Sequence, residues 1–201
     1  MLNNWFKKEK PLVNLYGLGG GATGLAFGGA AGQSYWFVTL AGSSNDNFYG
    51  VALDSSDNII VGGSTSSEGA GSNDFLLAKY DIDGAIQWQK VAGTSDNDNG
   101  YAVDVDSGGE IAIVGRRFST GAYSDAAFQL FDSGGGASGG GAQYRALIGS
   151  GTDQEYFHAV KRNSSNETFL AGHTNAGGSG VQAICMWLEP QIMDLHPITI
   201  L

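Results

Sequence analysis

The chain has 201 residues, 33 of them glycine and only three proline, with a formal net charge of −10 and 42% hydrophobic residues. That apolar share is enough for a core and excludes a disordered or collagen-like chain, while the acidity argues against nucleic acid as a partner. Cys185 is the single cysteine, which excludes a disulfide framework or cysteine metal cluster within one chain, and glycine interrupts every apolar stretch before it reaches membrane-spanning length.

In chain order, residues 1–31 come first and lack the repeat pattern of the remaining chain. They hold Lys7, Lys8 and Lys10 against Glu9, a net charge of +2 that leaves −12 on the rest. A secretory signal would place an apolar segment after the lysines, but here that segment is diluted by glycine. The stretch reads as an irregular docking arm, with Trp5, Phe6 and Leu12 as apolar anchors and Lys7, Lys8 and Lys10 as polar contacts. An arm folded back on its own body is the alternative.

Residues 32–201 form the body and repeat themselves. Segments 47–63, 99–115 and 156–172 each read turn, short strand, turn, second strand, glycine. Tyr49, Val51, Asp54, Ile59 and Gly63 recur 52 residues on as Tyr101, Val103, Asp106, Ile111 and Gly115. A further 57 residues place Val160, Glu167 and Gly172 opposite Val103, Glu110 and Gly115. Alternating and β-branched runs predict the strands. Asp and Gly at 54–58, 81–84 and 106–109 predict tight hairpins between them. A third strand follows in each copy at 75–81, 126–132 and 183–189. A fourth is readable at 36–40, 86–91 and 143–148.

The expected fold class is all-β, with three four-stranded blade repeats of the β-propeller kind at about 32–84, 85–141 and 142–201. Three blades are too few to close a ring, and their free edges invite pairing with another chain. A homo-oligomer or a place in a larger assembly is therefore expected. The β-prone end at 198–201 could close onto a neighbour or serve as the last strand of its own blade.

No catalytic residues stand out. The glycines of 17–22 lack a phosphate-loop lysine, and His158, His173 and His196 have no metal-ligand spacing. His158 aligns with Tyr101 and reads as a repeat residue. Asp104, Asp106 and Glu110 carry oxygens at alternating positions, as part of a calcium loop would, but the equivalent turns of the other copies do not preserve them, and ordinary turn formation is the favoured account. No cofactor is expected. Tyr49, Trp88, Tyr101 and Tyr123 could stack against a sugar or pack within the body.

Two stretches carry a resemblance. Residues 36–65, from Trp-Phe-Val-Thr-Leu to Gly-Gly-Ser-Thr, and their continuation at 74–88, Asp-Phe-Leu-Leu-Ala-Lys-Tyr-Asp-Ile-Asp-Gly-Ala-Ile-Gln-Trp, resemble the bacterial β-propeller repeat abbreviated SBBP. The opening Leu-Asn-Asn-Trp-Phe-Lys-Lys-Glu-Lys-Pro at 2–11, followed by Gly-Leu-Gly-Gly-Gly-Ala at 17–22, looks like the start of virion structural proteins of marine cyanophages. The third copy departs from the repeat, with Lys161, Arg162 and Asn163 replacing Asp104, Val105 and Asp106. The resemblance implies a non-enzymatic phage virion structural protein, on tail or capsid, held to other virion proteins through residues 1–31. Blade loops would then contact a host-surface glycan. The alternative is a secreted or cell-surface carbohydrate-binding propeller module.

Overall fold

A computed structural model describes residues 38–40, 42–118, 123–138, 153–175 and 180–188. Ten strands are present among them: β1 Asp46–Leu53, β2 Ile59–Thr65, β3 Asp74–Tyr80, β4 Ile86–Ala92, β5 Asp98–Val105, β6 Ile111–Phe118, β7 Ser124–Phe131, β8 Glu155–Arg162, β9 Thr168–Thr174 and β10 Gln182–Leu188.

The strands form three antiparallel meanders, ordered β1-β2-β3-β4, β5-β6-β7 and β8-β9-β10. The all-β expectation holds. The expectation of three propeller-like four-stranded blades is corrected: only the first sheet has four strands among the described residues, and the sheets do not close into a circle. β4 hydrogen-bonds to β3 in the first sheet. Val38–Leu40 form no strand, and residues 36–37 and 143–148 lie outside the described set.

One turn device makes the hairpins. Asp54, Asp81, Asp106, Asp132 and Asn163 each accept, through one side-chain oxygen, the backbone N–H groups two and four residues ahead. Three residues beyond each of them the backbone turns left-handed, at Asp57, Gly84, Gly109, Gly135 and Asn166. The side chain thus satisfies N–H groups that the reversal takes out of the ladder, which is why acids and asparagines recur there. Four of the chain's 20 acidic residues serve this turn chemistry.

Each sheet packs on the next, with β5 lying against β1 and β2, and β8 against β5, β6 and β7. The first interface buries Ala52, Ile60, Phe75 and Leu77 against Val103, Val105, Ile111, Ile113, Ala127 and Phe131. The second buries Val114, Ala126 and Phe128 against Phe157, Leu170 and Leu188. At roughly 1.5–3 kcal/mol for each fully buried large aliphatic or aromatic side chain, these two layers supply most of the cohesion. The middle sheet contributes to both: Ile111 and Ile113 face one way, and Val114 faces the other.

Polar ties cross the same interfaces. Arg162, its side chain 1% exposed, reaches from β8 to Asp106 at 2.7 Å and Glu110 at 2.6 Å. Its backbone N–H donates to Asp104 at 2.6 Å. Between the first two sheets, Lys79 and the Trp88 indole both donate to the Ser133 carbonyl, at 3.4 and 3.2 Å. These bonds fix the offset at which one sheet meets the next.

Candidate functional site

The repeat contains a device that its sequence only hints at. In β1 the pairing with β2 passes from Phe48↔Gly63 to Gly50↔Gly62, leaving Tyr49 as the extra residue of a β-bulge. The same slip leaves Tyr101 unpaired between Gly100 and Ala102, and His158 between Phe157 and Ala159. Bulges re-aim the side chain they insert. Here three of them, one per sheet and at equivalent repeat positions, bring their rings into a row.

Glycine opposite each bulge makes this possible. A β-carbon at Gly63, Gly115 or Gly172 would overlap the carbonyl oxygen of Asn47, Asn99 or Tyr156 respectively. The glycine that ends each repeat is thus imposed by close approach of the bulged backbone.

The row runs Tyr49, Tyr101, His158, with centroid separations of 6.1 and 5.6 Å. Tyr156 and His173, directly paired across β8 and β9, extend it. Tyr156 stacks on His173 at 4.6 Å, and His158 lies 4.9 Å from His173. The imidazoles are joined by a 2.9 Å bond between Nε2 of His158 and Nδ1 of His173, so one nitrogen carries the proton and the other accepts it. Partial burial, then the neighbouring His158, lowers the pKa of His173. Arg116 anchors the row from behind, donating to the Tyr156 hydroxyl at 2.9 Å while its guanidinium lies over the Phe118 and Tyr156 rings. Burial pushes the Tyr101 hydroxyl up, with Arg116 acting in the opposite direction. Tyr49 is 59% exposed and His158 is exposed. The row therefore presents rings, hydroxyls and imidazole nitrogens on the surface.

Of the four aromatics weighed for sugar stacking, Tyr49 and Tyr101 come together. Trp88 instead packs against the first core and is tied to Ser133, and Tyr123 stands ahead of β7, outside the row. Tyr156, His173 and Arg116 were missed. The signal for the row was present in the alignment of Tyr49, Tyr101 and His158, but only the bulges show that these positions share a surface.

Asp104, Asp106 and Glu110, weighed as calcium ligands, are engaged by donors. Asp104 takes Lys161 at 2.8 Å, Asp106 takes Arg162 and its own turn N–H groups, and Glu110 takes Arg162 and Ser138. Among the described residues no group of three or more His, Cys, Asp or Glu side chains is arranged to hold a metal ion. The docking-arm residues Trp5, Phe6, Lys7, Lys8, Lys10 and Leu12 lie outside the described residues, as do His196 and the 198–201 end.

A second repeated feature lies near the strand starts, where Asp46, Asp98 and Glu155 occupy equivalent positions at the same offsets of 52 and 57. Asp98 and Glu155 are fully buried. Asp98 accepts from the Thr94 backbone and hydroxyl, and Glu155 from the Thr174 hydroxyl at 3.2 Å. Burial, with Asp125 and Asp153 adding negative charge nearby and Thr174 opposing, pushes the Glu155 pKa up to about 7. Asp74 is raised too, mainly by burial and with a contribution from Asp98.

What the fold and site define is an all-β protein of three stacked sheets with a repeat-built aromatic row. No known family model matches the chain, and no match was found among curated proteins. The resemblances to the SBBP propeller repeat and to cyanophage virion openings are corrected accordingly: neither comparison supports them, and the sheets do not form a propeller.

Proposed function

We propose that this protein is a non-catalytic binding protein whose aromatic row contacts a glycan. The observation that carries this reading is the alignment of Tyr49, Tyr101 and His158, one bulge residue from each sheet, on a common surface. A saccharide offers apolar C–H faces and a dense set of hydroxyls. The row offers a matching mixture: the exposed Tyr49 ring for stacking, and the hydroxyl and imidazole groups beyond it for hydrogen bonds. Because the rings hold one another and Arg116 holds Tyr156, little side-chain freedom is lost on binding.

The test is binding of the intact chain to a panel of immobilised oligosaccharides, followed by titration of any hit with the Tyr49→Ala and Tyr101→Ala variants. Retention of specific saccharides, weakened tenfold or more by Tyr49→Ala, supports the reading. Absence of saccharide binding, or binding that ignores both substitutions, overturns it.

A second reading is a structural component of a larger assembly. Exposed Val51 and Leu53 on β1 at one end of the sheet stack, and exposed Phe169 and Trp187 at the other, favour it, since exposed apolar surface of this kind marks interaction sites.

A further inference from the structure

The packing of sheet on sheet repeats twice within the chain, and its residues follow the sequence repeat. At the first interface, β5 lays Val103 and Val105 on the face of the first sheet that carries Leu77. At the second, β8 lies on the face of the middle sheet that carries Val114 and Phe128. The pairs Gly62↔Leu77 and Val114↔Phe128 are equivalent by register. Their counterpart in the third sheet is Ala171↔Cys185. No described strand covers that face. Ala171, Ala183 and Cys185 are exposed on it, together with Phe169 at 40% and Trp187 at 50%. The alternate residues Leu170 and Leu188 are buried on the other side.

The opposite end of the stack has the matching half. Val51 and Leu53 of β1 stand 52 residues before Val103 and Val105. Val103 and Val105 are 6% and 9% exposed against the preceding sheet, whereas Val51 and Leu53, with no sheet before them among the described residues, are 66% and 58% exposed. On β3 the sequence equivalents are already buried, so the bare apolar strip is confined to β1.

One end therefore carries the apolar pair that covers a neighbouring sheet, and the other carries a face of the kind that is covered. We propose that a second copy of this chain supplies the partner: Val51 and Leu53 of one copy dock on the Phe169, Cys185 and Trp187 face of the next, continuing the stack head to tail. This gives the assembly reading its partner and rests on it, while standing independently of glycan contact. The contact is heterologous, so every stack keeps one free face of each kind, one at each end, and can go on growing. It would also place the Tyr49 end of one aromatic row beside the His158 end of another.

The test is sedimentation of the full chain from about 1 μM to about 1 mM, with Val51→Lys and Trp187→Glu as variants and circular dichroism as the check on folding. Concentration-dependent association of the wild type is expected. Each variant alone should be monomeric, and an equimolar mixture of the two should give a 1:1 complex, because each retains the face that the other has lost. Leu53→Lys provides a second probe of the same strip should Val51→Lys fail to fold. A wild type that stays monomeric throughout overturns the proposal. Association that survives both substitutions also overturns it while leaving the assembly reading in place, and so does association abolished by only one of them, which would indicate a symmetric contact.

Discussion

Gly115 lies so close to the carbonyl oxygen of Asn99 that a β-carbon on it would overlap that atom. The contact is produced by the bulge at Tyr101, which pushes the backbone of β5 toward β6. Gly115→Ala must therefore shift the bulge or separate the strands. A loss of about 2–4 kcal/mol is expected, measured by denaturant unfolding, with displaced Tyr101 ring resonances in the NMR spectrum. An alanine tolerated at full stability would show that the bulge is soft.

Arg162 is the cation on which the second sheet interface turns. Removing it by Arg162→Met leaves Asp106 buried without its charge partner, at a cost of about 3–5 kcal/mol. Asp106→Asn in the same chain should recover part of that loss, since it removes the stranded charge and keeps an oxygen for the turn N–H groups. A double-mutant cycle measures the coupling.

Stability should fall as pH rises through the range where Glu155 titrates. Its carboxyl binds a proton more tightly folded than unfolded, so between its ordinary value of 4.5 and the folded value of about 7 the native state holds more protons. The protonated form contributes stability that is complete below that window and lost across it, on the order of 3 kcal/mol. His173, its pKa lowered by burial and by His158, works the other way below 6.5. Thermal melts of the wild type and Glu155→Gln from pH 4.5 to 8 separate the two, because the variant should lose the decline and keep the histidine contribution. Asp54 dominates only at the acid end. Burial raises it, but Lys79 at 2.8 Å and bonds from Asn58 and Ser56 outweigh that and hold it well below the usual carboxylate range. Its contribution is present above 3.8 and lost as pH falls further.

Asp57 and Asn166 occupy left-handed backbone, with φ of 61° and 62°, where the other hairpins of this type use glycine. Asp57→Gly and Asn166→Gly should therefore be neutral or stabilising, by up to about 1 kcal/mol, while Gly109→Ala, at φ 86°, should destabilise by a similar amount. Chemical denaturation of the three variants checks the sign.

The strands and turns were legible because they are local. Alternation at Val103 and Val105 and the β-branched run around Ile111 and Ile113 fix which faces can be buried. Likewise, the side chains of Asp54 and Asp106 bond N–H groups only two and four residues away. The aromatic row was half legible. The recurrence of Tyr49 as Tyr101 and then His158 gave the positions but not their common surface.

The calcium reading of Asp104, Asp106 and Glu110 had the chemistry of acidic oxygens and lacked the partner. Arg162 stands more than fifty residues away, and no spacing rule announces it. By itself, the sequence determined an all-β chain of repeated hairpins, because strand alternation and turn bonding act over a few residues. Only the tertiary structure decided that the sheets stack openly, that each bulge needs its glycine, and that the aromatic rings meet. The bulge contacts join residues 16 positions apart and the sheet and ring contacts residues about fifty apart, where packing and charge pairing act across space and leave no local pattern to read.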